Sequence, residues 1–92
     1  MKVSNMTSDR ADREIPNQFI INTPEATYFQ SYKSIIIKTC WEDDKRKVYL
    51  DERYWNYSKT TSKYRNQFLG ETKKETQAKI DSGEYKLVDL NK

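Results

Sequence analysis

Between Ser34 and Gly70 the spacing of apolar residues changes once, and that change limits the folds open to the chain. The segment SIIIKTCW (Ser34–Trp41) joins β-branched and aromatic residues over the length of a strand, and KVYLDERYW resumes a two-residue period, with Val48 and Leu50 on one face and Tyr49 on the other. Both alternating faces of the first segment, Ile35–Ile37–Trp41 and Ile36–Cys40, are at least partly apolar, which predicts a central strand covered on both sides. Asp43 and Asp44 in the intervening EDDKRK are turn formers, so a hairpin from Ser34 to Asp51 is expected. From Ser58 the spacing becomes helical: Thr61, Tyr64 and Phe68 recur at intervals of three and four, Leu69 stands beside them, and Gly70 follows where a helix commonly ends. The hydroxyls of Ser58, Thr60, Thr61 and Ser62 can each accept from the orphan amides of a first turn.

The flanks extend this pattern. Upstream, IPNQFIINTPEATYFQSY places two prolines around Phe19–Ile20–Ile21 and then a Thr27–Tyr28–Phe29 run, which reads as two short strands. Residues 1–14 are polar, charged and aperiodic, and are expected to form a disordered tail, with a single domain over 15–92. Downstream, Thr72 and Glu75 are spaced as a capping box for a second helix, Gly83 stops it, and EYKLVDL suits a last strand returning to the sheet. The fold class expected is α+β: a small antiparallel β-sheet of three to five strands with two short helices packed on one face, in the order β-β-β-β-α-α-β.

Ninety-two residues leave room for one core, and only 35% of them are hydrophobic, so the seven tyrosines, three phenylalanines and two tryptophans must supply much of its area. A core this small is compatible with a homodimer that shares it. A single cysteine, Cys40, excludes an intramolecular disulfide and fits a reducing compartment. The longest apolar run is Ile35–Ile36–Ile37, far short of the ~20 residues that span a bilayer, and no signal-peptide pattern precedes it; a soluble protein that is not exported by that route is expected.

Catalysis finds little support in the residue inventory. There is no histidine, the commonest general base and metal ligand, and one cysteine cannot build a structural zinc site. Glu42, Asp43 and Asp44 lack the alternating oxygen ligands and glycine of a calcium loop, while Asp51 and Glu52 point to opposite faces of a strand. Cys40 has no base identified beside it and reads as a buried, inert strand residue. Gly70 and Gly83 each mark a helix end, leaving no phosphate-cradling loop. The expectation is a non-enzymatic protein without cofactor or metal.

One stretch stands apart. RYWNYSKTTSKYRNQFLG (Arg53–Gly70) holds four basic and five aromatic side chains and no acidic one, in a chain with 17 basic and 14 acidic residues overall. Trp55, Tyr64, Phe68 and Leu69 are expected in the core, and the hydroxyls at helix caps. Asn56, Thr60 and Asn66 are compatible with recognition and with caps or turns. Arg53, Tyr57, Lys59, Lys63 and Arg65 remain as the candidate partner-binding set, the helical cations lying off the Tyr64–Phe68 stripe toward solvent. Lysine and arginine neutralise phosphates and tyrosine stacks on unpaired bases, whereas the same residue types also concentrate in protein interfaces.

The strings FQSYKSIII, KVYLDERYWNYSKTTSKYRNQFLGE and IDSGEYKLVDLN together resemble a small family of uncharacterised bacteriophage proteins. That resemblance runs from about Phe29 to Asn91 and is carried by F-x-S-Y, then W-x-Y-S-x-T-T-x-x-Y-R-N-x-F-L-G from Trp55 to Gly70, then G-x-Y-x-L and a terminal Leu-Asn. It carries no catalytic residue. What it implies is a small phage accessory protein that acts by binding in the cytoplasm of the infected host, as an inhibitor or modulator of a host or anti-phage defence protein such as a restriction or CRISPR nuclease. A DNA mimic would be strongly acidic, whereas this chain carries a net charge of +3, so a blocked protein surface or bound nucleic acid is the expectation. A small nucleic-acid-binding protein and a virion structural or assembly component are the two alternatives.

Overall fold

The computed structural model describes residues 1–8 and 13–91. The element order is β1 (Lys2–Thr7), β2 (Glu14–Asn22), β3 (Ala26–Ser31), β4 (Ser34–Glu42), β5 (Lys45–Asp51), α1 (Lys59–Leu69), α2 (Lys73–Asp81) and β6 (Tyr85–Val88). These form a mixed α+β fold in which one sheet of six strands runs β1-β2-β3-β4-β5-β6 in sequence order. The first five strands are an antiparallel meander, and the two-helix connection returns β6 parallel to β5.

Three expectations are corrected here. The sheet has six strands rather than three to five, and its last pair is parallel, because a chain leaving β5 through two helices re-enters the sheet in the same direction. Residues Lys2–Thr7, within the expected disordered tail of 1–14, form β1 paired to β2; residues 9–12 of that segment lie outside the described residues. Composition misleads for β1 because an edge strand takes its order from backbone hydrogen bonds on one side and needs few apolar anchors: Met6 alone is buried in it. The third correction concerns β4. It is covered on one face only, and Ile36 and Ile37 are both fully buried because a register shift opposite Phe29–Gln30 inserts one extra residue, so two consecutive side chains serve the same core.

The core combines Met6, Ile15, Phe29, Ile36, Ile37, Val48, Leu50 and Tyr85, and Tyr64, Phe68, Leu69 and Ile80 of the helices pack against it. One register row through all six strands, Ser4–Ile20–Phe29–Ile37–Leu50–Leu87, follows this covered face. α1 lies over β3, with the rings of Phe68 and Phe29 stacked at 5.7 Å and a 2.8 Å hydrogen bond between the hydroxyls of Thr61 and Ser31, both fully buried. α2 instead sits beside β6. The caps follow the sequence reading. Ser58 Oγ accepts from the Thr61 amide, Thr72 and Glu75 make a reciprocal capping box, and Gly70 closes α1 at φ 70°, a left-handed conformation that disfavours a side chain.

A carboxylate ties the end of the chain to the sheet. Asp51 is 1% exposed; its Oδ2 accepts from the amides of Arg53 and Tyr54, and its Oδ1 from the amide of Leu90 and Nδ2 of Asn91. Asn91 in turn pairs with both backbone groups of Ile35, accepting from its amide at 2.7 Å and donating to its carbonyl at 2.9 Å. The side-chain amide thus acts as one residue of strand where β4 has run past the end of its β5 partner.

Candidate functional site

The turn run after β5 and the first two turns of α1 enclose an open groove of about 810 Å³, lined by Asn56, Tyr57, Ser58, Lys59, Ser62, Lys63, Asn66 and Lys73. Three of the five residues singled out in the sequence, Tyr57, Lys59 and Lys63, are therefore brought together and exposed. Tyr57 is 47% exposed and its ring is steadied edge-on by Tyr54, at 5.2 Å between centroids and 74° between planes. Lys63 Nζ lies 5.3 Å from the Tyr64 ring centre. Arg53 is exposed in the turn run but does not line the groove.

Arg65 is the correction. It does not point to solvent; it is fully buried, because Thr61 and Arg65, four residues apart, form the inward line of α1 with Phe68. Its Nη1 donates to the Trp55 carbonyl at 2.6 Å, to Asn56 Oδ1 at 3.4 Å and to Ser62 Oγ at 3.3 Å, while Nη2 donates to Asn66 Oδ1 at 3.0 Å. The guanidinium also lies 5.2 Å from the Trp55 ring centre. Burial pushes the Arg65 pKa below its usual value, and the Glu71 carboxylate acts in the opposite sense.

This placement gives Arg65 a function beneath the groove. A guanidinium can only donate, so it holds the amide oxygens of Asn56 and Asn66, two residues that line the groove, and leaves their NH₂ groups free to donate elsewhere. Together with the ammonium groups of Lys59, Lys63 and Lys73, the lining offers hydrogen-bond donors and positive charge, and no carboxylate among the described residues. The first turn of α1 holds no acidic residue either, so the positive end of the helix dipole is not offset there. Such a surface complements an anion.

Lys73, Ser62 and the orientation of Asn56 and Asn66 were missed by the sequence reading. Lys73 enters because the turn at Gly70 brings the start of α2 back beside α1, and the one local signal was its place just after the Thr72 cap. Cys40 is half-buried rather than buried, its thiol donating to Glu42 Oε2 at 3.3 Å, and burial together with that carboxylate pushes its pKa up, away from the reactive thiolate. Among the described residues, no three His, Cys, Asp or Glu side chains are grouped to hold a metal ion. Among the described residues, no helix is long and apolar enough to cross a membrane.

A family model, that of a family of unknown function (DUF8033), matches residues 1–84. The chain belongs to that family. The DUF8033 match takes in β1, which lies outside the resemblance read from Phe29 to Asn91, and it includes every residue lining the groove. No curated protein and no solved structure matches the chain.

Proposed function

We propose that this protein acts by binding, without catalysis, and that the groove between Asn56 and Lys73 receives a polyanion, with a nucleic-acid backbone as the partner. The observation that carries this reading is the composition of the groove: three lysines and two asparagines whose Oδ1 atoms accept from Arg65, with no carboxylate in the lining among the described residues. Phosphates gain from each ammonium by displacing counterions, and Tyr57 offers a ring beside them for a base or sugar.

The test is fluorescence anisotropy with labelled single-stranded and duplex oligonucleotides over a range of salt. The affinity is expected to fall with salt along a straight log–log line. Lys59→Glu with Lys63→Glu is expected to flatten that slope by about two phosphate contacts while leaving the fold intact. Absent or salt-independent binding would overturn the reading.

A protein partner is a second reading, favoured by Trp41. It is 73% exposed near the tip of the β4–β5 hairpin and pairs across the strands with Arg46. Tryptophan and arginine are the residues most enriched where interfaces carry their energy. With the phage resemblance, this supports an accessory protein acting in the cytoplasm of an infected host on a nuclease or its complex. Affinity capture from host lysate with and without nuclease treatment separates the two: nucleic-acid binding predicts that recovered material disappears on treatment, and a direct protein partner predicts that it stays.

A further inference from the structure

The sheet face away from the helices is not the polar surface expected of a sheet open to water. Its central register row runs Val3–Ile21–Tyr28–Lys38–Tyr49–Lys86 across all six strands, and the adjacent row carries Phe19 and Ile35. Phe19 and Tyr28 are diagonal neighbours on β2 and β3, since Phe19 faces Gln30, two residues on from Tyr28. Both rings are half-buried, and among the described residues no helix covers them. Lys38 stands in the middle of the row with its Nζ 5.8 Å from the Tyr49 ring centre, and the Tyr49 hydroxyl is anchored by a 2.7 Å bond to Glu42.

Charge selects the occupant. Lys38, Lys47 and Lys86 share this face, and the carboxylates on the same face of β3 to β6 are Glu42, already bound by Tyr49, and the buried Asp51. A second copy laid face to face would press Lys38 ammonium groups into an apolar contact, which desolvates them without compensation. A chain that brings flat rings and negative charge together meets both halves of the surface. We infer that this face is a platform for single-stranded nucleic acid, with bases stacked on Phe19 and Tyr28 and phosphates drawn to Lys38, Lys47 and Lys86. The inference rests on nucleic acid being the partner, as proposed for the groove, but assigns a separate surface and a strandedness.

The test pairs a labelled single-stranded RNA of about 12 nucleotides with a duplex of equal length, against wild type, Phe19→Ser with Tyr28→Ser, and Lys38→Gln. The double variant is expected to lose about tenfold or more in single-strand affinity, with duplex binding changed by less than about twofold, since stacking requires unpaired bases. Lys38→Gln, a surface change that leaves the core untouched, is expected to weaken single-strand binding and lower its salt slope by about one phosphate. Photocrosslinking of wild type with 4-thiouridine RNA is expected to label β2 and β3, a readout that needs no variant to fold.

Single-strand affinity unchanged in the variants, with crosslinks confined to residues 56–73, would overturn the platform and leave the groove reading standing. No binding to either probe would overturn both. A wild-type dimer that Tyr28→Ser dissociates, or retention of an acidic peptide in place of RNA, would also overturn it by giving the face another occupant.

Discussion

The Arg65 side chain donates a 2.6 Å hydrogen bond to the backbone carbonyl of Trp55 and rests 5.2 Å from the centre of its indole ring. One buried cation therefore joins the turn run after β5 to α1, satisfies a carbonyl that has turned away from the sheet, and orients the two asparagines of the groove above it. Its cost is desolvation, evident in its lowered pKa and in an Nε atom that is buried without a hydrogen-bond partner.

Removing that cation should therefore unfold more than it exposes. Arg65→Met keeps most of the packed stem but leaves the Trp55 carbonyl unpaired, and is expected to destabilise the protein by about 2–4 kcal/mol in urea unfolding. Arg65→Lys retains the charge yet cannot reach Asn56 and Asn66 with two nitrogens, so it should recover part of the stability while weakening anion binding in the groove. Equal loss in both variants would mean that the fork geometry, and not the charge, is what matters.

Asp51 should behave as a structural carboxylate. Four N–H groups from two separate segments converge on it, so Asp51→Ala is expected to cost about 2–4 kcal/mol, with Asn91→Ala costing less because only the second segment is released. Hydrogen exchange should localise the loss: the amides of Leu90 and Ile35 open in both variants, and those of Arg53 and Tyr54 only in Asp51→Ala.

The Glu71–Lys79 pair, 2.7 Å apart, predicts a dependence on acid. Burial works to raise the Glu71 carboxyl, but hydrogen bonds from Lys79, Thr76 and Tyr85 outweigh it and hold the pKa below the ordinary value. A carboxylate with a lowered folded pKa contributes stability above its unfolded value of about 4.3, and that contribution is lost as pH falls through the folded value. Thermal midpoints of wild type should thus drop toward low pH, and those of Glu71→Gln should drop less. Lys79, raised by the same pair, contributes below the ordinary lysine range and loses that contribution only in strong alkali.

Surface lysines of the groove should separate binding from folding. Lys59, Lys63 and Lys73 are all exposed, so single changes to Gln are expected to alter stability by less than about 0.5 kcal/mol. Each should reduce the salt slope of any polyanion binding by about one contact. Lys73→Gln is the informative member, because it tests a residue contributed by α2.

Local chemistry by itself determined the hairpin from Ser34 to Asp51, both helices with their caps, and the cluster of Tyr57, Lys59 and Lys63, since each depends on residues within about two turns or one hairpin of one another. Only tertiary structure decided the rest. Whether Arg65 faced water or the interior depended on Trp55, Asn56 and Asn66 closing around it, and a helical period cannot distinguish a long cation at the edge of the inward stripe from a solvated one. Lys2–Thr7 became a strand through backbone pairing that its polar side chains do not announce, and Ile36 joined Ile37 in the core through a bulge set by the register with β3. The six-strand row of aromatic and basic side chains likewise exists only in register: no two of its members are neighbours in the chain, and hydrogen bonding between strands is what makes them one surface.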